Sequence, residues 1–511
     1  MNKIWLTAQL ISLAILGFYS SPRVFAKSPN ILLILADDLG YGDVGCYNPE
    51  CRVPTPNLDR LAAEGMRFTD AHSPATVCTP TRYSIMTGRM AFRLNYRGVF
   101  TGVGGPCLIT ADRLTLPSML HAQGYETAMF GKWHIGMSFQ DHSGQPINEN
   151  GLEAVKRIDY SRPVTDGPIH RGFDHFFGTV CCPTTDWLYA FMDGDRIPTP
   201  PERLIDTDNL PQHAWSFDCR PGFVAPDFVH EEVDQVFLQK SLSFLDAHTQ
   251  SGSGKPFFLF HSTQAVHLPS FPGRDFVGKT SAGPHGDFIF EFDDIVGQLL
   301  QKLDQLGLVD DTLVIVTSDN GPEVGTVLNM REKHQHDGAR PWRGMKRDNW
   351  EGGHRVPMLV RWPGTVPAGT VASQTVCLTD IMATCAAITG YDLPNEAAED
   401  SVDFSPVLLD PFSAEVRQVT VHQTMSLALA IRQGDWKYLD HRGSGGNDYS
   451  RGQLKSLEHV GEDQDAPSQL YNLRTDPAES KNLLGQHPEI ATELKAKLEE
   501  IKSSGRSAPR R

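Results

Sequence analysis

The apolar run Ile31-Leu32-Leu33-Ile34-Leu35-Ala36 ends directly in Asp37 and Asp38, and this junction limits the possible folds more than any other stretch. An unbroken apolar run of strand length, without polar alternation, belongs to a strand buried on both faces, as in the middle of a parallel sheet. Leu313-Val314-Ile315-Val316 has the same character and ends in Ser318-Asp319-Asn320. Two shorter runs also lead into polar groups: Glu126 to Phe130 into Lys132 and His134, and Phe257 to Phe260 towards His267. Helical segments separate these runs, so the chain predicts an α/β fold with a large doubly wound sheet flanked by helices. Ligands of such sheets bind at the carboxyl ends of the strands. Four strands therefore deliver carboxylates and cations to one end of one sheet, which predicts a single site.

The intervening helices are readable from their ends. Thr55-Pro56 opens one through Leu58, Leu61 and Ala62 that stops at Gly65, and Leu116 to Ala122 forms another before Gly124. A further helix is expected around Val233 to Ala247. The clearest amphipathic segment, Asp287 to Leu306, repeats Phe288, Phe292, Ile295, Leu299, Leu303 and Leu306 at helical spacing. Residues 136–220, rich in Gly, Pro, Asp and aromatics, read as long loops that build binding surfaces. Past about residue 410 the pattern changes. Ala428 to Arg432 and Trp436 to Leu439 predict a hairpin, Leu470 to Leu473 a strand, and Pro488 to Ser503 a closing helix before a frayed basic tail, Arg506 to Arg511. The expected organisation is a large α/β domain over 27–410 and a smaller C-terminal α+β domain over 411–511, with an antiparallel sheet and a terminal helix.

Residues 1–26 read as a cleavable secretory signal, with Lys3, an apolar core from Ile4 to Tyr19, and Val24-Phe25-Ala26 at the cleavage site. That core is too short and interrupted for stable membrane insertion, so the chain is expected to be secreted or periplasmic. Loss of Lys3 and Arg23 would take the formal charge from −16 to −18. Such a charge argues against nucleic acid as a partner and requires any anionic substrate to meet positive charge gathered locally. The nine cysteines suit an exported protein but are too sparse for a disulfide scaffold. Cys46 and Cys51 are close enough in sequence to close a small loop, while the other pairings stay open.

Asp37, Asp38, Asp319 and Asn320 offer only oxygen ligands, a set that suits Ca²⁺ better than Zn²⁺. Cys78 sits just ahead of a short helical pattern, with Pro80 near its start, Gly88 as its stop and Arg82 one turn along. A helix start stabilises negative charge at that cysteine.

The run Cys78-Thr79-Pro80-Thr81-Arg82, followed by Met86-Thr87-Gly88-Arg89, resembles the signature of the type I sulfatases. In that family the cysteine of C-x-P-x-R is oxidised after synthesis to formylglycine (3-oxoalanine), which works as its hydrate. The blocks ILLILADDLGYGDVG, PNLDRLAAEGMRF, GYETAMFGKWHIG, VTSDNGP and WEGGHRVP are similar to sulfatase blocks and occur in the family's order. AIRQGDWKYL and LYNLRTDPAESKNL extend a weaker match into the C-terminal part. The resemblance implies an alkaline-phosphatase-like fold and one Ca²⁺ per chain. Asp37, Asp38, Asp319 and Asn320 would hold that ion together with the formylglycine made from Cys78, and Arg82 would hold the hydrate. Lys132, His134, His267 and Lys346 would surround the sulfate and handle protons.

The implied chemistry is coherent, because attack on a sulfate ester piles charge onto oxygens that preorganised cations can stabilise. Asp319 would help deprotonate the hydrate, either His267 or Lys346 would protonate the leaving alcohol, and His134 would assist sulfate release. A formylglycine-generating enzyme is the implied maturation partner. The match departs from the family at Val266, where proline is common, and at Arg347 and Asp348, where small residues are usual.

The blocks look most like arylsulfatase A and N-acetylgalactosamine-6-sulfatase relatives, which implies sulfated carbohydrate as substrate. Chondroitin- or dermatan-type galactosamine sulfates stand ahead of algal galactans. Asp186, Trp187 and Tyr189 lie in a loop where the family often contacts sugar, and an aromatic there could stack on a ring or serve the core. Two alternatives differ in class: a phosphodiester or phosphonate hydrolase of the alkaline-phosphatase superfamily, and a non-catalytic sulfoglycan-binding protein. The complete ligand set argues against the second.

Overall fold

The computed structural model describes residues 28–103, 105–213, 218–458 and 466–511; the expected leader at 1–26 and the end of the 442–465 loop lie outside the described residues. The main sheet consists of β1 (Asn30–Ala36), β2 (Met66–Phe68), β3 (Glu126–Lys132), β4 (His175–Thr179), β5 (Met192–Asp193), β6 (Phe257–Ser262), β7 (Thr312–Ser318), β8 (Met358–Arg361) and β9 (Thr370–Ala372). Their spatial order is β9-β2-β8-β7-β1-β6-β3-β4-β5. The middle five, β7-β1-β6-β3-β4, are parallel, and β8 and β5 add antiparallel partners on either side. Every residue of β1, β6 and β7 is buried, as their unbroken apolar runs require.

Two groups of helices cover the sheet. α1 (Pro56–Glu64), α2 (Cys78–Thr87), α3 (Leu116–Ala122), α4 (Val233–Ser251), α5 (Gly283–Gln305) and α6 (Ile381–Thr389) follow in chain order. α1 and α4 both pack on α5, whereas α2, α3 and α6 pack on one another. A sheet whose middle strands are buried on both sides needs cover on both, and these groups supply it. The expected helices and apolar strands thus form close to their predicted ends. β4 is different: it lies inside the 136–220 stretch expected to be loops. Its five residues, His-Phe-Phe-Gly-Thr, are too few to show a period.

Strand register sets the geometry at the carboxyl edge. Leu35 pairs with Ser262 and Ala36 with Ser318, so the residues after β1 and β7 leave the sheet at the same level. Gly131, at φ 125°, lies against the Ser262 carbonyl, and a Cβ there would come within 1.7 Å of that oxygen. Only glycine lets β3 and β6 close this tightly just before Lys132.

The C-terminal part is a four-stranded antiparallel sheet, β10 (Val419–Gln423), β11 (Leu429–Gln433), β12 (Trp436–Leu439) and β13 (Gln469–Asn472), in that order. α7 (Pro488–Ser504) packs on β11 and β12 and buries Ala491, Leu494, Leu498 and Ile501. The tail beyond α7 is anchored, not frayed. Arg506 donates to the Asn395 carbonyl at 3.0 Å, and Arg511 to those of Ala397 and Ser401 at 3.0 and 2.9 Å. The expected Cys46–Cys51 loop closure does not occur either. All nine cysteines are free thiols, and Cys51 Sγ lies within hydrogen-bonding reach of the Asp43 and Val53 carbonyls, at 3.3 and 3.2 Å.

A buried polar seam joins this sheet to the larger domain. Asp70 accepts from both Arg432 terminal nitrogens at 2.8 and 2.9 Å, pairs with Arg355 at 2.8 Å and bonds His72 Nε2 at 2.9 Å. Lys437 meets Glu351 and Glu479, each at 2.9 Å. Burial alone would raise the Asp70 carboxyl, but Arg355, Arg432 and His72 together hold it well below the usual carboxylate range. Asp70→Ala leaves two largely buried guanidiniums without their carboxylate and should cost about 3–5 kcal/mol in denaturant unfolding. The sign for pH follows from the depressed value. The Asp70 contribution is complete above about pH 4 and fades as pH falls towards the lower folded value, so wild type and Asp70→Ala should converge in acid.

Candidate active site

β1, β3, β6 and β7 end on one edge of the main sheet, and the chain after each strand turns into a single buried cluster. Asp37 and Asp38 follow β1, Lys132 closes β3 with His134 two residues on, His267 lies beyond β6, and Asp319 and Asn320 follow β7. Cys78 is the first residue of α2, and Arg82 is one turn along it. Lys346 arrives on the irregular segment between β7 and β8. All ten are buried.

Arg82 is the shared partner. Its Nε and Nη2 both meet Asp319 Oδ2 at 2.8 Å, and Nη2 lies 3.4 Å from Asp37 Oδ2. Nη1 donates to the Lys132 carbonyl at 2.9 Å and to Ser262 Oγ at 2.6 Å. Lys132 Nζ pairs with Asp37 Oδ2. Lys346 Nζ bonds Asp38 Oδ2 at 2.7 Å and lies 3.7 Å from Glu323, which Arg347 grips with both terminal nitrogens at 2.7 and 2.6 Å. Four carboxylates thus face four cations.

The matching still leaves oxygen atoms over. Asn320 Nδ2 donates to Asp38 Oδ1 at 2.7 Å, which turns Asn320 Oδ1 inward without a partner, and Asp37 Oδ1 is equally unpartnered. Burial and the neighbouring Asp37 charge push the Asp319 carboxyl well up. Burial raises Asp38 to about 7, with Asp37 and Glu323 adding to the rise. Such crowded, buried acceptors are the environment of a hard cation. Ligand atoms of Asp37, Cys78 and Asp319 lie within 4.8 Å of one another, as do those of Asp37, Asp38 and His267. His72, His354 and His422 also converge, but the rings of His354 and His422 stack at 3.7 Å and 13°. An ion lies in the plane of each imidazole it binds, and two nearly parallel stacked planes cannot share one.

Hydrogen bonds assign the tautomers of the two site histidines. His134 Nε2 donates to the Phe100 carbonyl at 2.7 Å, leaving Nδ1 as a buried lone pair that faces Cys78. His267 Nδ1 donates to the Leu268 carbonyl at 2.5 Å, leaving Nε2 as an acceptor 3.8 Å from both Cys182 Sγ and Asp38 Oδ2. Burial, reinforced by Lys346, lowers His267 to about 3. A hydrogen bond from Cys182, followed by the Lys132 charge, holds the Cys78 thiol well below its ordinary value. Asp38, His134 and Arg347 adopt left-handed backbone at φ 65°, 59° and 82°. Each such residue costs about 1–3 kcal/mol, and such strain gathers at functional sites.

A cavity of about 280 Å³ opens from this cluster. Cys78, His134, Cys182, His267 and Lys346 line it, together with Phe100, Asp218, Arg220, Arg347 and Met425.

The sequence profile of the family described as Sulfatase matches residues 29–391, more than half of the chain. The chain belongs to the sulfatase family. It is therefore a sulfuric ester hydrolase. The N-acetylgalactosamine-6-O-sulfatase of Bacteroides thetaiotaomicron is 30% identical over 507 residues, covering 94% of each chain. Human arylsulfatase A is 33% identical, covering 92% of this chain and 87% of its own. A solved sulfatase structure from work on glycosaminoglycan metabolism by Bacteroides thetaiotaomicron superposes with a TM-score of 0.77 at 29% identity, covering 93% of this chain and 99% of that one.

All ten sequence-predicted site residues of this sulfatase meet in the one cluster. The aromatic loop does not join them. Tyr189 is fully buried, with its hydroxyl on the Arg220 carbonyl at 2.6 Å, and neither Asp186, Trp187 nor Tyr189 lines the cavity. Sequence reasoning missed Ser262, Glu323 and Cys182. Ser262 and Cys182 follow from recognising strand ends, since β6 closes at Ser262 and Cys182 stands three residues past β4. Arg82→Lys should lower sulfate-ester turnover at least about 100-fold, because one ammonium cannot hold Asp319, the Lys132 carbonyl and Ser262 together. Steady-state rates and an unfolding midpoint that also falls would check this.

Proposed function

We propose that this sulfatase hydrolyses O-sulfate esters of sugars, with chondroitin- or dermatan-type galactosamine sulfates as its first candidates, using calcium and a formylglycine made from Cys78. The observation that carries the reading is the pair of unpartnered oxygens, Asp37 Oδ1 and Asn320 Oδ1, set among the three buried cations Arg82, Lys132 and Lys346 beside Cys78. The N-acetylgalactosamine-6-O-sulfatase relative supports the sugar class. Asp37, Asp38, Asp319, Asn320 and the modified residue 78 would hold the ion. When present, calcium supplies charge to the sulfate oxygens, and formylglycine hydrate supplies an oxygen nucleophile that a cysteine lacks.

The chain's own groups do the rest. Arg82, Lys132 and Lys346 stabilise the charge that builds on sulfate oxygens during attack. His134 Nδ1, whose partner nitrogen is committed to Phe100, accepts a proton at position 78. Between the two candidates for the leaving-group donor, the tautomer of His267 favours Lys346, which carries its proton on Nζ while His267 Nε2 offers a lone pair. The leader at 1–26 fits the same reading, an exported enzyme matured by a formylglycine-generating enzyme. No helix among the described residues is long and apolar enough to cross a membrane.

Ion chromatography of sulfate released from monosulfated sugars, run beside the matching phosphate esters, tests the substrate class. Sulfate release with little phosphate is expected. Turnover of 4-nitrophenyl sulfate with no release from any sugar would remove the carbohydrate assignment. Asp319→Ala should lose both bound calcium, by metal analysis, and activity, whereas stoichiometric zinc in active wild type would contradict the proposed metal.

A further inference from the structure

Of the five charged side chains lining the cavity, Glu323, Lys346 and Arg347 are committed to ion pairs. Lys346 is held by Asp38, and Arg347 by Glu323. Asp218 and Arg220 are the exceptions. Both are half-buried and line the cavity, yet neither side chain has a hydrogen bond or ion pair among the described residues. Arg220 lies over the Trp187 ring, 5.8 Å from its centroid, and the indole, which does not line the cavity, holds the guanidinium. Burial, followed by the Glu323 charge, raises the Asp218 carboxyl against the opposing pull of Arg347 and Arg220. Half-burying two charged groups that have no hydrogen-bonding partner among the described residues costs free energy, which a ligand that satisfies both recovers.

Their chemistry specifies that ligand. An ionised carboxylate only accepts hydrogen bonds and a guanidinium only donates them. Together they suit a group that does both, and the hydroxyls of a sugar ring do. A second anion on the substrate fits poorly, because Asp218 would repel it. We propose that Asp218 and Arg220 form the subsite that grips hydroxyls of the sugar carrying the sulfate, and so determine selectivity for sugar over aryl sulfates. This rests on the sugar-sulfate reading above. It assigns the specificity to the segment after the expected aromatic loop, with Trp187 as the positioning residue for Arg220.

The test compares wild type with Asp218→Asn, Arg220→Gln and Arg220→Lys. Each is assayed on 4-nitrophenyl sulfate, on the monosulfated N-acetylhexosamine that wild type turns over fastest, and on its disulfated counterpart. Loss of a charged hydrogen bond in this subsite should lower kcat/KM for the monosulfated sugar about 10- to 100-fold in Asp218→Asn and Arg220→Gln, chiefly through KM. The aryl sulfate should fall by a few fold at most, and Arg220→Lys should recover part of the sugar activity. Equal losses on sugar and aryl sulfates, with a lowered unfolding temperature, would make the pair structural and overturn the proposal. So would unchanged sugar turnover in both variants, an outcome that leaves the sugar-sulfate reading intact. A gain on the disulfated sugar in Asp218→Asn would identify a second-anion site instead. Wild type that cleaves the aryl ester and no sugar would remove the reading and the subsite together.

Discussion

The structure depends on one buried guanidinium. Arg82 ties α2 to the ends of β1, β3, β6 and β7 by contacting Asp37, the Lys132 carbonyl, Ser262 and Asp319 at once. Ions buried this deeply pay a desolvation penalty of several kcal/mol each, which only close pairing and complete hydrogen bonding can offset. The register of the parallel strands therefore has little freedom. A slip of β7 by one residue against β1 would withdraw Asp319 from Arg82 and leave both charges buried and unmatched. The same matching explains how a chain of net charge −16 maintains a cationic pocket for an anionic ester. The positive charge is neutralised locally by carboxylates when the pocket is empty of substrate, and the unpartnered oxygens mark where further positive charge would be accepted.

Much of this arrangement was legible in the sequence, for a physical reason. Strands buried on both faces must be apolar throughout, so the residue at which polarity returns marks the carboxyl end of the strand, where α/β sheets bind ligands. Asp37, Lys132 and Asp319 could be located that way, and the sulfatase signature supplied Cys78 and Arg82. β4 and β8 were not read from the sequence; β4 is hidden inside the Gly- and Pro-rich 136–220 stretch, β8 adds only Met-Leu-Val to its apolar signal, and Cys182 went unread with β4. The tail from Arg506 looked frayed because its anchors, backbone carbonyls together with Asp400 and Asn395, lie more than 100 residues away in sequence.

The rim of the pocket was the least readable part. Asp218 and Arg220 lie in an irregular segment where no periodicity distinguishes a ligand-facing charge from a solvated one. Trp187 and Tyr189 attracted attention as aromatics in a long loop, but the core and Arg220 use them. Residue type alone could not separate these roles, because both depend on which way the loop folds over the sheet edge. The buried charge cluster is thus built on strand ends and was predictable, whereas the cavity rim is built on loops and required coordinates.

The central claim is that residue 78, once it is no longer a cysteine, performs the chemistry that this charge cluster supports. Protein prepared with graded amounts of formylglycine-generating enzyme gives samples that differ in the converted fraction of Cys78, read by peptide mass spectrometry, and each sample can be assayed for sulfate release. The account predicts turnover proportional to that fraction, extrapolating to zero in unconverted protein with unchanged folding. Full activity in protein carrying only cysteine at position 78 would contradict it.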